Sequence, residues 1–232
     1  MNENKVSVIT VTKNRCNFLK TSIKYYLEQT HTNKEMLILY YSDDLETSDY
    51  LKSLNEVFTS SNNIRVFKHI VTTGTYLGSL RNYLVEKATG KYIIIWDDDD
   101  YHHPDRIKLQ LEKCVDSGLP ACTLRSLLVF SESRQEVRLS FERIEGWEGT
   151  LICKRSDMPM YRNIDRYEDT PVIDSLYLTE KLITLHNPDL YVYYLHDNNI
   201  STSLHKEELY NNSLELNGSK NYKIKKLIGF IR

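Results

Sequence analysis

Short β-branched and aliphatic runs alternate with segments of helical period through the first half of the chain, the pattern of parallel strands joined by crossover helices. Residues 6–11 form the first run, and Phe18, Leu19, Ile23, Tyr26 and Leu27 then recur at helical spacing, predicting a helix that stops near Thr30. A second strand is predicted over 36–41, a weaker helix around Leu51, Leu54 and Phe58, and a third strand over 64–70. Leu77, Leu80, Leu84, Val85 and Ala88 mark another helix, with Gly90 as its expected C-terminal cap. Residues 91–96, Lys-Tyr-Ile-Ile-Ile-Trp, read as a buried strand. Pro104 opens a helix that carries Ile107, Leu111 and Val115 on one face and ends at Gly118.

Beyond Gly118 the rhythm changes. Residues 121–130 and 136–141 flank a polar turn and predict a hairpin, 149–153 a short strand, 169–181 a helix, and 190–195 the last patterned run. A helix over 206–216 and a basic, apolar end over 223–232 follow. That end is expected as a docked terminal helix, with peripheral membrane contact as the alternative. No repeat, low-complexity tract or linker divides the chain. The expected architecture is one α/β domain whose mostly parallel central sheet is flanked by helices. Residues 1–118 would form one half, 119–197 a β-rich second half and 198–232 a helical tail.

Composition narrows the function. Over 232 residues, 41% are hydrophobic and 27% charged, with a formal net charge of −2. This ordinary balance argues against disorder and offers nucleic acid no basic surface. No apolar run approaches the roughly 18–20 residues of a transmembrane span. The opening Met1-Asn2-Glu3-Asn4 lacks a secretory pattern, so a soluble, cytoplasmic protein is expected. Cys16, Cys114, Cys122 and Cys153 form no Cys-x-x-Cys pair and sit in apolar surroundings, as reduced core residues do. Seventeen tyrosines stand against eight glycines, and alanine occurs only at Ala88 and Ala121. That usage suggests an AT-rich viral or bacterial genome.

The chemistry concentrates at Asp97-Asp98-Asp99-Asp100, directly after the buried strand. Four adjacent carboxylates repel one another and are costly at a buried strand end unless a cation neutralises them. On an extended segment Asp97 and Asp99 would share a face, and oxygen ligands of this kind suit Mg2+ or Mn2+. Parallel α/β sheets bind ligands beyond the carboxyl ends of their strands, where this cluster falls. A calcium EF-hand is excluded, because counting from Asp97 puts His102 where glycine is required and Lys108 where the bidentate glutamate belongs. A Walker loop and a Gly-x-Gly-x-x-Gly fingerprint are absent as well.

Several segments in order carry a family resemblance. Residues 8–15, Val-Ile-Thr-Val-Thr-Lys-Asn-Arg, followed by a helix and then by Ser42-Asp43-Asp44, resemble the opening of inverting family-2 glycosyltransferases with the GT-A fold. Arg81-Asn82 and the run from Ala88 through Trp96 into Asp97–Asp100 and Pro104-Asp105-Arg106 are similar to that family's Arg-Asn helix and Asp-x-Asp segment. Arg166-Tyr167-Glu168-Asp169 is similar to its Glu-Asp motif.

The resemblance implies a UDP-sugar donor, a Mn2+ or Mg2+ ion, a hydroxyl-bearing acceptor and one direct displacement at the anomeric carbon. It would place Thr10, Thr12, Arg15 and one of Asp43 or Asp44 on the nucleotide, with Arg81 near the base or phosphates. Asp97 and Asp98 would serve the nucleotide side and Asp99 the metal, with His196 as a late metal ligand. Asp169 would be the general base, with Glu168 as the fallback. The sequence departs from the family at Val11, Lys13 and Ser42-Asp43-Asp44-Leu45, and the Gln-x-x-Arg-Trp motif of polymerising members is absent, so transfer of a single sugar fits better. His102 and His103 read either as metal or phosphate contacts or as a surface pair, and His205 is a weaker candidate. Trp147 reads either as a sugar-stacking face or as core. A nucleotidyltransferase and a catalytically silent nucleotide- or carbohydrate-binding module are the alternative functions.

Overall fold

A computed structural model describes residues 4–71, 74, 76–197, 199 and 203–228. In chain order it runs β1 (Val6–Thr12), α1 (Cys16–Leu27), β2 (Lys34–Tyr41), α2 (Leu45–Ser53), α3 (Glu56–Ser61), β3 (Ile64–His69), α4 (Leu77–Lys87) and β4 (Tyr92–Ile95). There follow β5 (Tyr101–His102), α5 (Arg106–Ser117), β6 (Ala121–Leu124), β7 (Leu128–Ser131), β8 (Glu136–Leu139) and β9 (Trp147–Lys154). The chain continues through α6 (Thr170–Leu178), β10 (Leu182–Leu185), β11 (Tyr191–Leu195), α7 (Ser203–Asn211), β12 (Leu214–Glu215) and α8 (Gly218–Leu227).

A seven-stranded sheet in the order β10-β6-β9-β4-β1-β2-β3 forms the centre. Strands β4, β1, β2 and β3 are parallel, and β9 runs antiparallel to both β4 and β6. Alternation along the strands explains why both faces are covered. Val6 and Val8 of β1 with Tyr92 and Ile94 of β4 enter the core shared with Leu19 and Ile23 of α1 and Ile107 and Leu111 of α5. Ile9, Ile93 and Ile95 point the other way, onto Leu80 and Leu84 of α4 and Val172 and Ile173 of α6. A five-stranded sheet, β12-β8-β7-β11-β5, lies beyond, and its contact region includes Leu127, Val129, Trp147 and Tyr191.

The mostly parallel sheet flanked by helices agrees with the sequence expectation, with several corrections. Residues 121–130 are two strands in different sheets; only β7 pairs with β8 as a hairpin. Residues 125–127 let the chain change sheets, which a continuous apolar run does not reveal. Gly90 is not a helix cap, since α4 is capped by Ala88 in an extended conformation. Glycine is needed at 90 for close approach: a Cβ there would lie 2.6 Å from Ser7 Oγ and 2.7 Å from Ser7 N on β1. Gly118 does end α5, with φ +70°. The helix starting at Pro104 begins at Arg106, and the one expected over 169–181 ends at Leu178, leaving room for the unpredicted edge strand β10. The expected tail helix over 206–216 is instead α7, followed by β12.

All four cysteines are free and buried. Helix α8 docks through Ile224, which joins the main core; residues 229–232 lie outside the described residues. Among the described residues no helix is long and apolar enough to cross a membrane.

Candidate functional site

The sheet reverses its strand order at β1, which has β2 on one side and β4 on the other, and a cleft opens beyond the carboxyl ends of β1 and β4. Its volume is about 450 Å3, and its walls include Arg15, Arg81, Asp97, Asp99, Glu148 and Asp169. The floor is rigid because the ladder continues past β4: Trp96 N donates to Ile9 O at 3.1 Å, and the Thr10 hydroxyl donates to Trp96 O at 2.9 Å. Thr10 is thus spent within the sheet.

Asp97–Asp100 form a turn, not an extended segment, so strict alternation of their side chains fails. Neighbouring Asp98 and Asp99 share one guanidinium, with Arg15 Nη1 at 3.1 Å and 2.8 Å. Asp97 turns to Arg81 Nη2 at 3.0 Å. Asp99 Oδ2 also meets His196 Nε2 at 3.1 Å and Asn199 Nδ2 at 3.2 Å. Asp100 is structural: Tyr191 OH donates to it, and so does Tyr194 N at 2.8 Å, tying β11 to the turn.

Electrostatics separates these carboxyls. Burial and neighbouring Asp99 push Asp98 up to about 7, against Arg15. The Thr12 hydroxyl beside it also pulls this carboxyl down without overcoming burial. Burial also raises Asp97, against the pull of Arg81. Burial acts upward on Asp99 too, but His196 and Arg15 overcome it and hold that carboxyl below its usual value.

Across the cleft, Asp169 is the N-cap residue of α6, yet its side chain makes no capping bond and stays 28% exposed. Glu168 beside it is buried and pairs with Arg81 Nη1 at 2.6 Å, and Asp169 lies 3.6 Å from the same nitrogen. Burial pushes Glu168 up to about 7 despite Arg81. Arg81 therefore bridges the acidic turn to the Glu168-Asp169 pair, with carboxylates on two sides of its guanidinium.

The remaining candidates scatter. Thr12 is buried near Asp98 and does not line the cleft. Asp44 caps α2, accepting from Thr47 N at 3.1 Å and from Asn14 N at 2.6 Å, where Asn14 takes φ +54°. Asp43 is exposed and lies 3.6 Å from Lys13. His102 is not a surface residue: it is fully buried and stacked on Trp96 at 3.6 Å, and its ring nitrogens meet Asp97 O and Arg106. His103 is a helix-entry residue whose Nδ1 accepts from Asp105 N. The side chain of His205 lies outside the described residues.

Trp147 lines the cleft and also packs in the second-sheet core, with Arg143 over its ring at 5.1 Å. Sequence reasoning missed Arg143, Tyr191 and Asn199. None belongs to a motif, and only contacts across the fold bring them to the cleft.

Among the described residues no group of three or more His, Cys, Asp or Glu side chains is gathered as a metal cage. The donors nevertheless fit a Mg2+-type ion. Asp99 and His196 adjoin at 3.1 Å, Asp98 and Asp97 precede Asp99 in the same turn, and such ions commonly take one or two protein carboxylates with phosphate and water completing the shell.

Comparison with known proteins gives a consistent family. The model of "Glycosyl transferase family 2" matches residues 7–170. An uncharacterized glycosyltransferase of Rickettsia conorii is 37% identical over 112 residues, covering 48% of this chain and 17% of that protein. TuaG of Bacillus subtilis, named for teichuronic acid biosynthesis, is 30% identical over 107 residues, 46% of this chain and 40% of its own length. The chain thus spans less than half of each. Among solved structures, S. aureus TarS 1–349 in complex with UDP-GlcNAc superposes with a TM-score of 0.68 at 16% identity, covering 97% of this chain and 66% of that one. The mannosyltransferase PcManGT from Pyrobaculum calidifontis, in complex with GDP-Man and Mn2+, gives 0.64 at 14% identity over 83% and 57%.

Proposed function

The chain belongs to glycosyl transferase family 2, and from that membership we propose that it is an inverting, metal-dependent transferase moving one sugar from a UDP-sugar to a hydroxyl acceptor. The observation that carries the reading is the pairing of two walls. The acidic turn with Arg15 faces the accessible Asp169 carboxylate, and Arg81 joins the two. In this reading residues 1–118 carry the donor side, 119–197 the base and acceptor side, and 198–232 a tail.

Asp97 and Asp98 serve the nucleotide side, and Arg15 offers a guanidinium to the diphosphate. Asp43, exposed and paired only loosely with Lys13 at 3.6 Å, is the carboxylate for the uracil, since Asp44 is engaged in its cap. Asp99 and His196 would hold a Mn2+ or Mg2+ ion, which when bound would supply Lewis-acid stabilisation of the leaving diphosphate. Asp169 accepts the proton of the acceptor hydroxyl as its oxygen bonds to the anomeric carbon. The carbon–oxygen bond to the diphosphate breaks on the opposite face, its electron pair leaving with the phosphate, so a single displacement inverts the centre. Glu168, buried against Arg81, orients the bridge. The UDP-GlcNAc complex of TarS supports the nucleotide choice, and the Mn2+ complex of PcManGT supports the metal.

Calorimetric titration of UDP, GDP, CDP and ADP, each with Mn2+ and with EDTA, tests this reading. UDP binding that requires metal is the expected result. Preference for another diphosphate changes the donor, and no binding to any of them removes the donor site.

A further inference from the structure

The β4–β9 ladder stops at Ile94 and Ile152, yet β9 extends back to Trp147 and the chain after β4 goes on to the acidic turn. The two strands therefore fork, and the fork opens into the cleft between Asp97 on one branch and Glu148 and Gly149 on the other. A Cβ added at Gly149 would lie 3.0 Å from Asp97 Oδ2 and 3.2 Å from Tyr191 OH, so the branches are close and their spacing is narrowly set.

Arg106 fills this fork. Its side chain rises from the first turn of α5 with no exposed surface. Nη2 donates to Ile95 O at 3.1 Å on one branch and to Gly149 O at 3.2 Å on the other. Nε donates to Gln110 Oε1 at 3.1 Å, and Gln110 Nε2 in turn donates to Thr150 O at 2.7 Å. Nη1 donates to His102 Nδ1. His102 Nε2 donates to Asp97 O at 3.0 Å, while its ring is held against Trp96, whose Nε1 donates to Ser22 Oγ at 2.9 Å.

Every one of these partners of Arg106 is uncharged, which is an expensive setting for a buried cation. Burial pushes its pKa down to about 10, against the pull of Tyr191, Asp97 and Asp100. Burial and Arg106 together push His102 well below its usual value. The imidazole is then neutral, and its two nitrogens take the donor and acceptor roles that this chain requires.

We propose that Arg106, acting through Ile95 O, Gly149 O and His102, is a positioning residue that fixes the spacing between the acidic turn and the β9 wall of the cleft. A stabilising role alone would be met by an apolar side chain of similar volume, whereas only a planar fork of donors reaches both branches at once. The catalytic consequence rests on the transferase reading above, because a loosened fork misplaces the donor relative to Asp169.

The test compares Arg106→Lys and His102→Phe with the unaltered protein; phenylalanine keeps the stack on Trp96 but bonds neither Asp97 O nor Arg106. Both variants should lower kcat by about tenfold or more while KM and UDP affinity change less than about threefold, and the double variant should lose less than the product of the two. Amide exchange supplies a readout that does not depend on turnover. Exchange should quicken in residues 95–102 and 147–151 and stay unchanged in β1 and β2. Unchanged exchange in folded variants, multiplicative losses, or a loss confined to UDP affinity would each overturn the clamp. An unaltered protein that turns over no nucleotide sugar sinks the transferase reading instead, and the exchange data still decide the clamp. If Arg106→Lys does not fold, His102→Phe decides alone.

Discussion

The same sheet buries carboxylates at both of its ends, and the two ends treat them in opposite ways. At the amino end, Glu35 of β2 accepts from Ser7 Oγ at 2.6 Å, Thr89 N at 2.7 Å and Thr89 Oγ1 at 2.8 Å, with Lys5 and Arg65 each at 3.4 Å. Burial works against the charge there, but the Ser7 and Thr89 bonds overcome it and hold Glu35 at about 2. At the carboxyl end, burial leaves Asp98 and Glu168 near 7 even though Arg15 and Arg81 pull them down. Desolvation is common to both sites, and the supply of donors is what separates them. The amino end is a finished structural knot. The carboxyl end carries surplus negative charge where the cleft opens, an arrangement that a bound cation would relieve.

Substitutions at the two ends should therefore differ in kind. The largest effect is expected for Asp169→Asn, which should cut transfer by about 10²–10⁴-fold and leave UDP affinity nearly unchanged, as read by UDP release beside calorimetry. If transfer survives, Asp169 is not the base. Asp99→Ala should weaken metal-dependent UDP binding by about tenfold or more, and affinity equal to the unaltered protein's would remove Asp99 from the metal site.

Isosteric neutralisation tests the comparison directly. Glu35→Gln should destabilise the fold by about 1–3 kcal/mol, since it breaks a satisfied set. Asp98→Asn, the same chemical change at the other end, should leave stability equal or higher at pH 8, because it removes a charge that the fold disfavours. Urea denaturation of both variants decides, and equal losses would erase the distinction.

The pH dependence follows with a definite sign. Glu168 and Asp98 bind protons more tightly folded than unfolded, so the metal-free protein should lose stability as pH rises from about 4.5 through about 7. Glu35 is displaced the other way, and its contribution should be lost as pH falls from about 4.5 toward 2. Stability measured in EDTA over roughly pH 3–8 should therefore pass through a maximum near the acidic side, and a monotonic rise to neutrality would contradict the assignment. The smallest effect is expected for Asp43→Ala, within about 0.5 kcal/mol of the unaltered stability, because its pairing with Lys13 is exposed.

Much of the fold was legible in advance because its signals are local. The short apolar runs over 6–11 and 91–96 identified buried parallel strands, and the steps through Leu19 and Ile23 identified α1. The split of 121–130 was not legible, because periodicity reports burial and does not say which sheet provides it. Gly90 was misread for a related reason: a glycine following a helix signals a cap, whereas its actual constraint comes from β1, more than eighty residues earlier in the chain.

The site divides along the same line. Its chemical groups were written in the sequence: the acidic run after an apolar strand, the Glu168-Asp169 pair, and Arg15 and Arg81. Their partnerships were not. Asp99 meets His196 across 97 positions and Asn199 across 100, Arg15 meets Asp99 across 84, and His102 turned inward to brace Arg106. Backbone geometry and side-chain period act over a few residues, so the sequence alone determined the elements and the reactive groups they carry. Which carboxylate is neutralised, which is left strained and which faces the cleft depends on distances between groups far apart in the chain, and only the tertiary structure sets those distances.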